Sequence, residues 1–428
     1  MAPLYDEQRL SARVRMSLDL MLCGNLCGNM HGIVCGGGTS AMIGLANVLG
    51  AGDLAFGVLN GIPQAAALMQ IPFSILVART QKRKRYLLTF GLFSRVLWTL
   101  FGLIPIVMPM APQSAQLWTL IALLGISSCC AASINVCWFP WFSDLAPVTM
   151  RARWMSVRDM LVAAANMLFG LFSAWLLQTL PVDIRYALVF ALGGLLGVAD
   201  MVCFGFCEER YTVPPARLHV AGVFKDAVKH EPFRRVTLMW LAWCFTSNIA
   251  SPYMTRYSMN EMGLDFMQIM IFVTMAASVG TILSIRQWGR AIGTMGSCRV
   301  MLLGCVGTVV AQGAYLFSTP GNVIPPLIGN LFGAMFWSGS NLAANTLQLS
   351  SSPEEGKASY IAIFSCVTSL AGTALGTVFG GALLEAWSAG TFSFLGMDRY
   401  KTLLLLGMAA RLAATLLLVP RLPKDDEH

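Results

Sequence analysis

Long apolar runs separated by short polar breaks repeat along almost the entire chain. They fall near 16–45, 54–79, 86–109, 115–143, 155–179 and 184–207. They resume near 236–262, 265–286, 297–317, 323–350, 358–385 and 402–420. A hydrocarbon core about 30 Å thick takes about 20 apolar residues of helix, so each run is long enough to span one. A transmembrane barrel would instead show segments of about ten residues with alternating polarity. Runs such as that over 402–419 do not alternate. The pattern predicts an all-α membrane protein with twelve transmembrane helices in two six-helix, pseudo-symmetric bundles.

The longest hydrophilic stretch, 208–235, falls at the middle and divides the chain. The reading is an N-terminal six-helix bundle over 1–207, a cytoplasmic linker over 208–235 and a C-terminal six-helix bundle over 236–428. Within the linker, Pro214-Pro215 precedes a short amphipathic stretch from Val223 to His230, read as an interfacial helix tethering the halves.

Composition agrees with a membrane protein: 56% of residues are hydrophobic, 12% are charged and the mean hydropathy is +0.65. Soluble domains carry about 25% charged residues. The net charge of +8 alone would admit a nucleic-acid partner, but its distribution argues otherwise. With the N-terminus inside, most Lys and Arg lie in the N-terminus, inner loops, linker and C-tail, and only Arg185, Arg399 and Lys401 lie in outer loops. That bias places both termini in the cytoplasm of a multi-pass protein of the plasma (bacterial inner) membrane. The cluster Arg79, Lys82, Arg83, Lys84, Arg85 reads as an anchor at lipid head groups. The lipid bilayer is thus the expected partner, and nucleic acid is not. No small-residue cleavage site ends a short apolar core after Arg9, Arg13 and Arg15, so no cleaved signal is expected.

The 12 Cys and four His show no metal-ligand spacing, and His31 is the one histidine within a predicted span. Neither a metal, a cofactor nor an enzyme site is expected. Without a phosphate-binding loop of the Walker type, ATP-driven pumping is not expected either.

Polar residues inside the spans carry the candidate chemistry, because each is costly in lipid unless it meets a partner or a wet cavity. Span 1 carries Gly24, Gly28, Gly32 and Gly36 on one stripe, a device for close helix approach, with Asn25 and Asn29 beside it. At ~1.5 Å per residue these amides lie roughly 13 to 20 Å deep. Amide and aromatic side chains recur as Asn135 and Trp138 in span 4, Asn248 and Tyr253 in span 7, and Trp337 and Asn341 in span 10. Such groups offer neutral hydrogen bonds beside a flat apolar face, which suits a polar organic solute. Interhelical packing is the equally weighted reading of each. Span 11 repeats the glycine device at Gly372, Gly376 and Gly380.

The charged candidates are fewer. Arg95 sits inside span 3, within reach of Asp19, Asp159 or Asp200, and a structural ion pair is preferred to a substrate-anion ligand. Asp144, after the helix-loosening Pro140, has Arg151, Arg153 and Arg158 nearby. A clasp of Asp144 with Arg153 or Arg158 is set against a solvated loop. Arg256 and Glu261 lie near the outer end of span 7, at a spacing poor for mutual pairing, so an outer gate partner elsewhere is expected.

Two echoes indicate duplication. Asn47-Val-Leu-Gly50 recurs as Asn260-Glu-Met-Gly263, and Pro147-Val-Thr-Met-Arg151-Ala152-Arg-Trp154 as Pro353-Glu-Glu-Gly-Lys357-Ala358-Ser-Tyr360. With twelve spans and a central linker, this repeat resembles the major facilitator superfamily (MFS) of secondary transporters. The superfamily's loop after helix 2 reads Gly-x-x-x-Asp-Arg-x-Gly-Arg-Arg. Here Ser74-Ile-Leu-Val-Ala78-Arg79-Thr-Gln81-Lys82-Arg83 keeps the basic residues without the glycines or the acid. Trp288-Gly289 through Gly293 to Gly296 echoes it in the second half. Trp141-Phe-Ser-Asp144 through Arg158, with Arg95 and Trp98 as Arg-x-x-Trp, is similar to a bacterial branch of unassigned substrate.

The resemblance implies that spans 1, 4, 7 and 10 line a central cavity between the bundles, where Asn25, Asn29, Asn135, Trp138, Asn248, Tyr253, Trp337 and Asn341 would meet solute. It implies secondary transport by alternating access and says little about substrate; the Asn, Trp and Tyr residues favour a small polar solute, taken up. Drug or metabolite efflux, or a non-transporting receptor, are the alternatives. No acid falls convincingly at the midplane, which argues against simple proton symport; a coupling ion, H+ or Na+, and facilitated diffusion all stay open. A monomer is expected.

Overall fold

The computed structural model describes residues 11–209, 229–353, 357–388 and 396–423. The expected amphipathic stretch of the linker and part of the Pro353–Tyr360 echo lie outside the described residues.

Helix α1 (Ala12–Cys35) starts at Ser11, whose hydroxyl accepts from the Val14 amide and satisfies a donor the helix leaves open. Gly36 ends it, and a short helix, Ser40–Val48, continues the first run from a Thr39 cap. Gly50, at φ +71°, makes the turn that follows. Next come α2 (Asp53–Val77), α3 (Arg83–Phe101), α4 (Gln113–Leu145), α5 (Val148–Thr179) and α6 (Val182–Phe206). Pro147 and Pro181 sit just before α5 and α6, where a missing N–H costs nothing. Past the linker stand α7 (Glu231–Asn260), α8 (Phe266–Met295), α9 (Ser297–Phe317), α10 (Ile324–Ser351), α11 (Tyr360–Ser388) and α12 (Arg399–Arg421).

Eight of these, α2, α4, α5, α6, α8, α9, α11 and α12, are long and apolar enough to cross a membrane. The other four, α1, α3, α7 and α10, are long enough but more polar. These four hold most of the candidate amides and two of the interior arginines, so the low apolarity and the candidate chemistry have one cause.

The chain forms two compact units. The first comprises residues 1–50 and 66–217, the second residues 51–65 and 218–428. Helix α2 is therefore shared: its first turns count with the second unit and its last turns with the first. In the first unit α1 packs on α6 and α5, and α3 on α4 and α6; in the second, α7 packs on α12 and α11, and α9 on α10 and α12. One pairing scheme thus recurs in the two units.

Each unit has its own apolar centre. Leu18, Met21, Leu87, Trp141, Phe142 and Trp154 lead in the first; Phe233, Trp243, Val300, Met301 and Leu347 lead in the second. The α11 glycines act as expected, since an added Cβ at Gly372, Gly376 or Gly380 would strike α7 at Cys244, Phe245 or Ile249. On α1, Gly24 and Gly28 meet α6 at Asp200, whereas Gly32 faces open space.

Candidate functional site

The interior asparagines share one local device. Asn25, Asn29, Asn248 and Asn330 each donate Nδ2 to a backbone carbonyl one turn back, those of Met21, Asn25, Cys244 and Pro326, at 2.7–2.8 Å. The i−4 carbonyl of a helix lies within reach of such a side chain. Their donors are thus partly met within their own helix, and Asn330 also donates to the Tyr315 hydroxyl on α9. Asn135 is exposed, and the half-buried Asn341 accepts from Asn345 through Oδ1 at 3.0 Å.

In the second unit Asn248 and Trp337 come together in a cleft of about 360 Å³, with Ser251, Gln312, Asn330 and Arg411 also on its wall. Trp337 stacks on Trp243 at 6.3 Å between ring centres, and Trp240 lies tilted against it at 5.9 Å. Tyr253 is placed differently from expectation. It is fully buried, donates to the Thr377 carbonyl at 2.6 Å and packs edge-on to Phe56. The glycines Gly57 and Gly381 leave room only for its hydroxyl, so it braces α7 against α11. In the first unit Trp138 carries the Arg158 guanidinium over its ring, 5.0 Å from the centroid.

The ion pairs join residues far apart in sequence. Arg95 donates Nη2 to Asp200 Oδ2 at 3.1 Å, with both side chains largely buried. Asp200 sits over Gly28, and His31 lies close by, its Nδ1 2.9 Å from the Gly193 carbonyl oxygen. Asp144 takes Arg83, at the start of α3, as its partner. Arg158 pairs with its neighbour Asp159 at 2.8 Å and lies over the Trp138 ring. Arg151 folds back to cap the α4 carbonyls of Ser143 and Ala146.

Arg256 pairs with Asp53 at 3.4 Å and donates to the carbonyls of Gly52 and Ala51. Asp53 also takes Arg399 at 3.1 Å and the Tyr400 hydroxyl at 2.9 Å, while Glu385 accepts from the Asp53 amide at 2.9 Å. Glu261 is exposed. Sequence reasoning passed over Asp53, Glu385 and Arg399, which read as loop or helix-end charges.

A family profile described as Major Facilitator Superfamily matches residues 26–374, well over half of the sequence. The chain belongs to the major facilitator superfamily. Comparison with curated proteins gives no match. Solved MFS structures match at TM-scores that show the fold. The nucleoside transporter NupG aligns at 0.68 with 11% identity, covering 95% of this chain and 98% of its own. The xylose transporter XylE from E. coli, inward open, aligns at 0.67 with 13% identity over 96% and 97%. An auto-inhibited POT family peptide transporter aligns at 0.70 with 11% identity over 98% and 99%. The superfamily and these neighbours are transporters, not enzymes.

The MFS loop motif explains one backbone oddity. Gln81 stands at the motif's second glycine and keeps a left-handed conformation, φ 53° and ψ 31°, as the cap of the helix ending at Thr80. It is the one non-glycine with positive φ among the described residues. A glycine would hold that conformation without steric cost.

Arg411, in the middle of α12, is the functional candidate that sequence reading missed. It is fully buried on the wall of the second-unit cleft. The available signal was its setting, Gly407-Met-Ala-Ala-Arg411-Leu-Ala-Ala. Small residues on both sides let a neighbouring helix close over a long side chain.

Proposed function

We propose that this chain is a secondary transporter that moves a small polar organic solute across the plasma membrane by alternating access, uptake being the favoured direction. The observation that carries the reading is the second-unit cleft. An intramembrane recess lined by amides, hydroxyls and one indole is a poor lipid contact and a good solute contact. All twelve helices cross the bilayer in this reading, the more polar four doing so because they face solute rather than lipid. Both termini are cytoplasmic, following the distribution of Lys and Arg. The NupG and XylE neighbours, named for nucleoside and xylose, support a neutral or polar cargo.

In the same reading, the buried cluster around Asp53 holds the start of α2 to α7 and α12 within the second unit. The Arg83–Asp144 pair ties α3 to α4 and keeps the first unit moving as one body.

Proteoliposome uptake tests this. Purified protein is reconstituted and offered labelled sugars, nucleosides, organic acids and amino acids, with and without a pH or sodium gradient. Saturable uptake of one class is expected, without ATP. Absence of protein-dependent flux for every class, from protein shown to be folded, would count for the receptor alternative.

A further inference from the structure

Arg83, Arg95 and Arg256 each have a carboxylate partner: Asp144, Asp200 and Asp53. Arg411 is the most buried of the four, with no exposed surface, yet no carboxylate pairs with it among the described residues. Its contacts are neutral. Nη1 donates to Gln312 Oε1, Nη2 reaches the Ser247 carbonyl and Ser251 Oγ at 3.2 Å each, and Nε has no partner. A charged side chain inside a membrane protein is costly, and such groups pair with one another or line a pathway. Arg411 does not pair, and it lines the cleft.

We propose that the cleft binds the carboxylate of a small hydroxylated organic monoanion, with Arg411 as its counter-ion. This rests on the transporter reading and specifies its cargo. A single guanidinium with no second cation on the cleft wall balances one negative charge. The guanidinium is planar and suited to bidentate carboxylate contact; having no exposed surface, it meets the anion by exchanging its bonds to Gln312 and Ser251 for the carboxylate.

The remainder of the cleft selects the rest of the solute. Asn248 and Asn330 spend Nδ2 on backbone carbonyls, and Asn330 also on the Tyr315 hydroxyl at 2.7 Å. Their Oδ1 atoms receive no donor among the described residues and are left as acceptors. Acceptors suit hydroxyl donors on the solute and disfavour a second carboxylate. Trp337 supplies a flat apolar wall. About 360 Å³ is at the small end of ligand sites.

The test uses the purified full-length protein and thermal unfolding. Gluconate and lactate are compared with glucose and lactamide at matched ionic strength. A ligand bound only by the native state raises the midpoint by mass action. A rise on the order of several degrees is expected for the acids at saturation and none for their neutral counterparts. Arg411→Gln should abolish the response, and Arg411→Lys should retain part of it. Since Arg411→Gln risks misfolding, Ser251→Asp is the second variant. Its carboxylate would occupy the anion's place, so the acid response should vanish while Arg411 remains.

Equal shifts from neutral counterparts, an unchanged response in Arg411→Gln or Ser251→Asp, or no shift from either acid would overturn the proposal. A neutral solute that shifts the midpoint and enters proteoliposomes independently of Arg411 would do so while leaving the transporter reading intact. Acids that bind through Arg411 but never cross the membrane would sink the transporter reading alone.

Discussion

Arg256 and Asp53 hold each other at 3.4 Å with little of either side chain exposed, although they lie more than 200 residues apart in the chain. Arg399 and Tyr400 converge on the same carboxylate. Asp53 is the carboxylate that pairs with Arg256 among the described residues, and removing it strands a buried cation. Breaking a buried pair from one side costs about 3–5 kcal/mol, much of it the penalty on the partner left behind. Asp53→Asn is therefore expected to lower stability by about 3 kcal/mol. Arg256→Gln combined with it should cost less than the sum of the single changes. Unfolding midpoints of the four proteins complete the cycle, and strict additivity would show that the pair is not coupled.

Arg95 and Asp200 invite the same logic in the first unit. Asp200 is 4% exposed and has Arg95 as its ion-pair partner. Arg95→Gln leaves a buried carboxylate, and a loss of about 3 kcal/mol is expected. Arg95→Gln with Asp200→Asn leaves two neutral groups that can share a hydrogen bond, so part of the loss should return. A double variant no better than Arg95→Gln would mean that the cost lies in packing of the arginine stem.

The contrast between these two arginines shows what a sequence can tell. The depth of Arg95 in its span and the levels of Asp19, Asp159 and Asp200 limit its partner to three acids, and Asp200 is among them. Arg256 has no such short set, because Asp53 lies at a helix start that reads as a loop, and spacing along the chain does not encode contacts over such separations. The apolar runs and glycine stripes are legible because helical periodicity is local. Whether a glycine on a stripe meets a neighbour is not. Gly28 touches Asp200, while Gly32, one turn on, touches nothing. The cleft is half legible: Asn248 and Trp337 belong to the expected lining, but Arg411 lies on span 12, outside the four spans expected to line a cavity.

Glycine substitutions give a direct check of the packing. Gly376→Ala would press a methyl group on the Phe245 backbone of α7, which cannot rotate away. A cost of about 1–3 kcal/mol is expected, as for overpacking elsewhere. Gly32→Ala meets no atom within 4 Å and should be neutral, or stabilising by up to about 1 kcal/mol through helix propensity. Similar midpoints for the two variants would contradict close contact between α7 and α11.

Asp144→Asn tests whether the α3–α4 tie matters to the cycle. Arg83 is buried but keeps a second carboxylate, Glu209, at 4.0 Å, so the loss of stability should fall below the usual cost of breaking a buried pair, at about 1–3 kcal/mol. Uptake in proteoliposomes should nevertheless change, because the first unit would lose part of its rigidity. Wild-type rates at equal protein would remove the pair from the mechanism.

Gln81 offers a prediction of opposite sign. Its backbone is left-handed, a region that costs an L-residue with a side chain about 1–2 kcal/mol. Glycine has no such cost in the folded state, but its unfolded chain is more flexible, which takes back about 0.4–1 kcal/mol. Gln81→Gly should therefore stabilise the protein, by about 0.5–1 kcal/mol. Gln81→Val, with branching at Cβ that crowds the same conformation further, should destabilise it. The order of midpoints, Gly above Gln above Val, follows from the dihedral alone and needs no knowledge of the solute. A Val variant as stable as the Gly variant would mean that the loop abandons the left-handed cap.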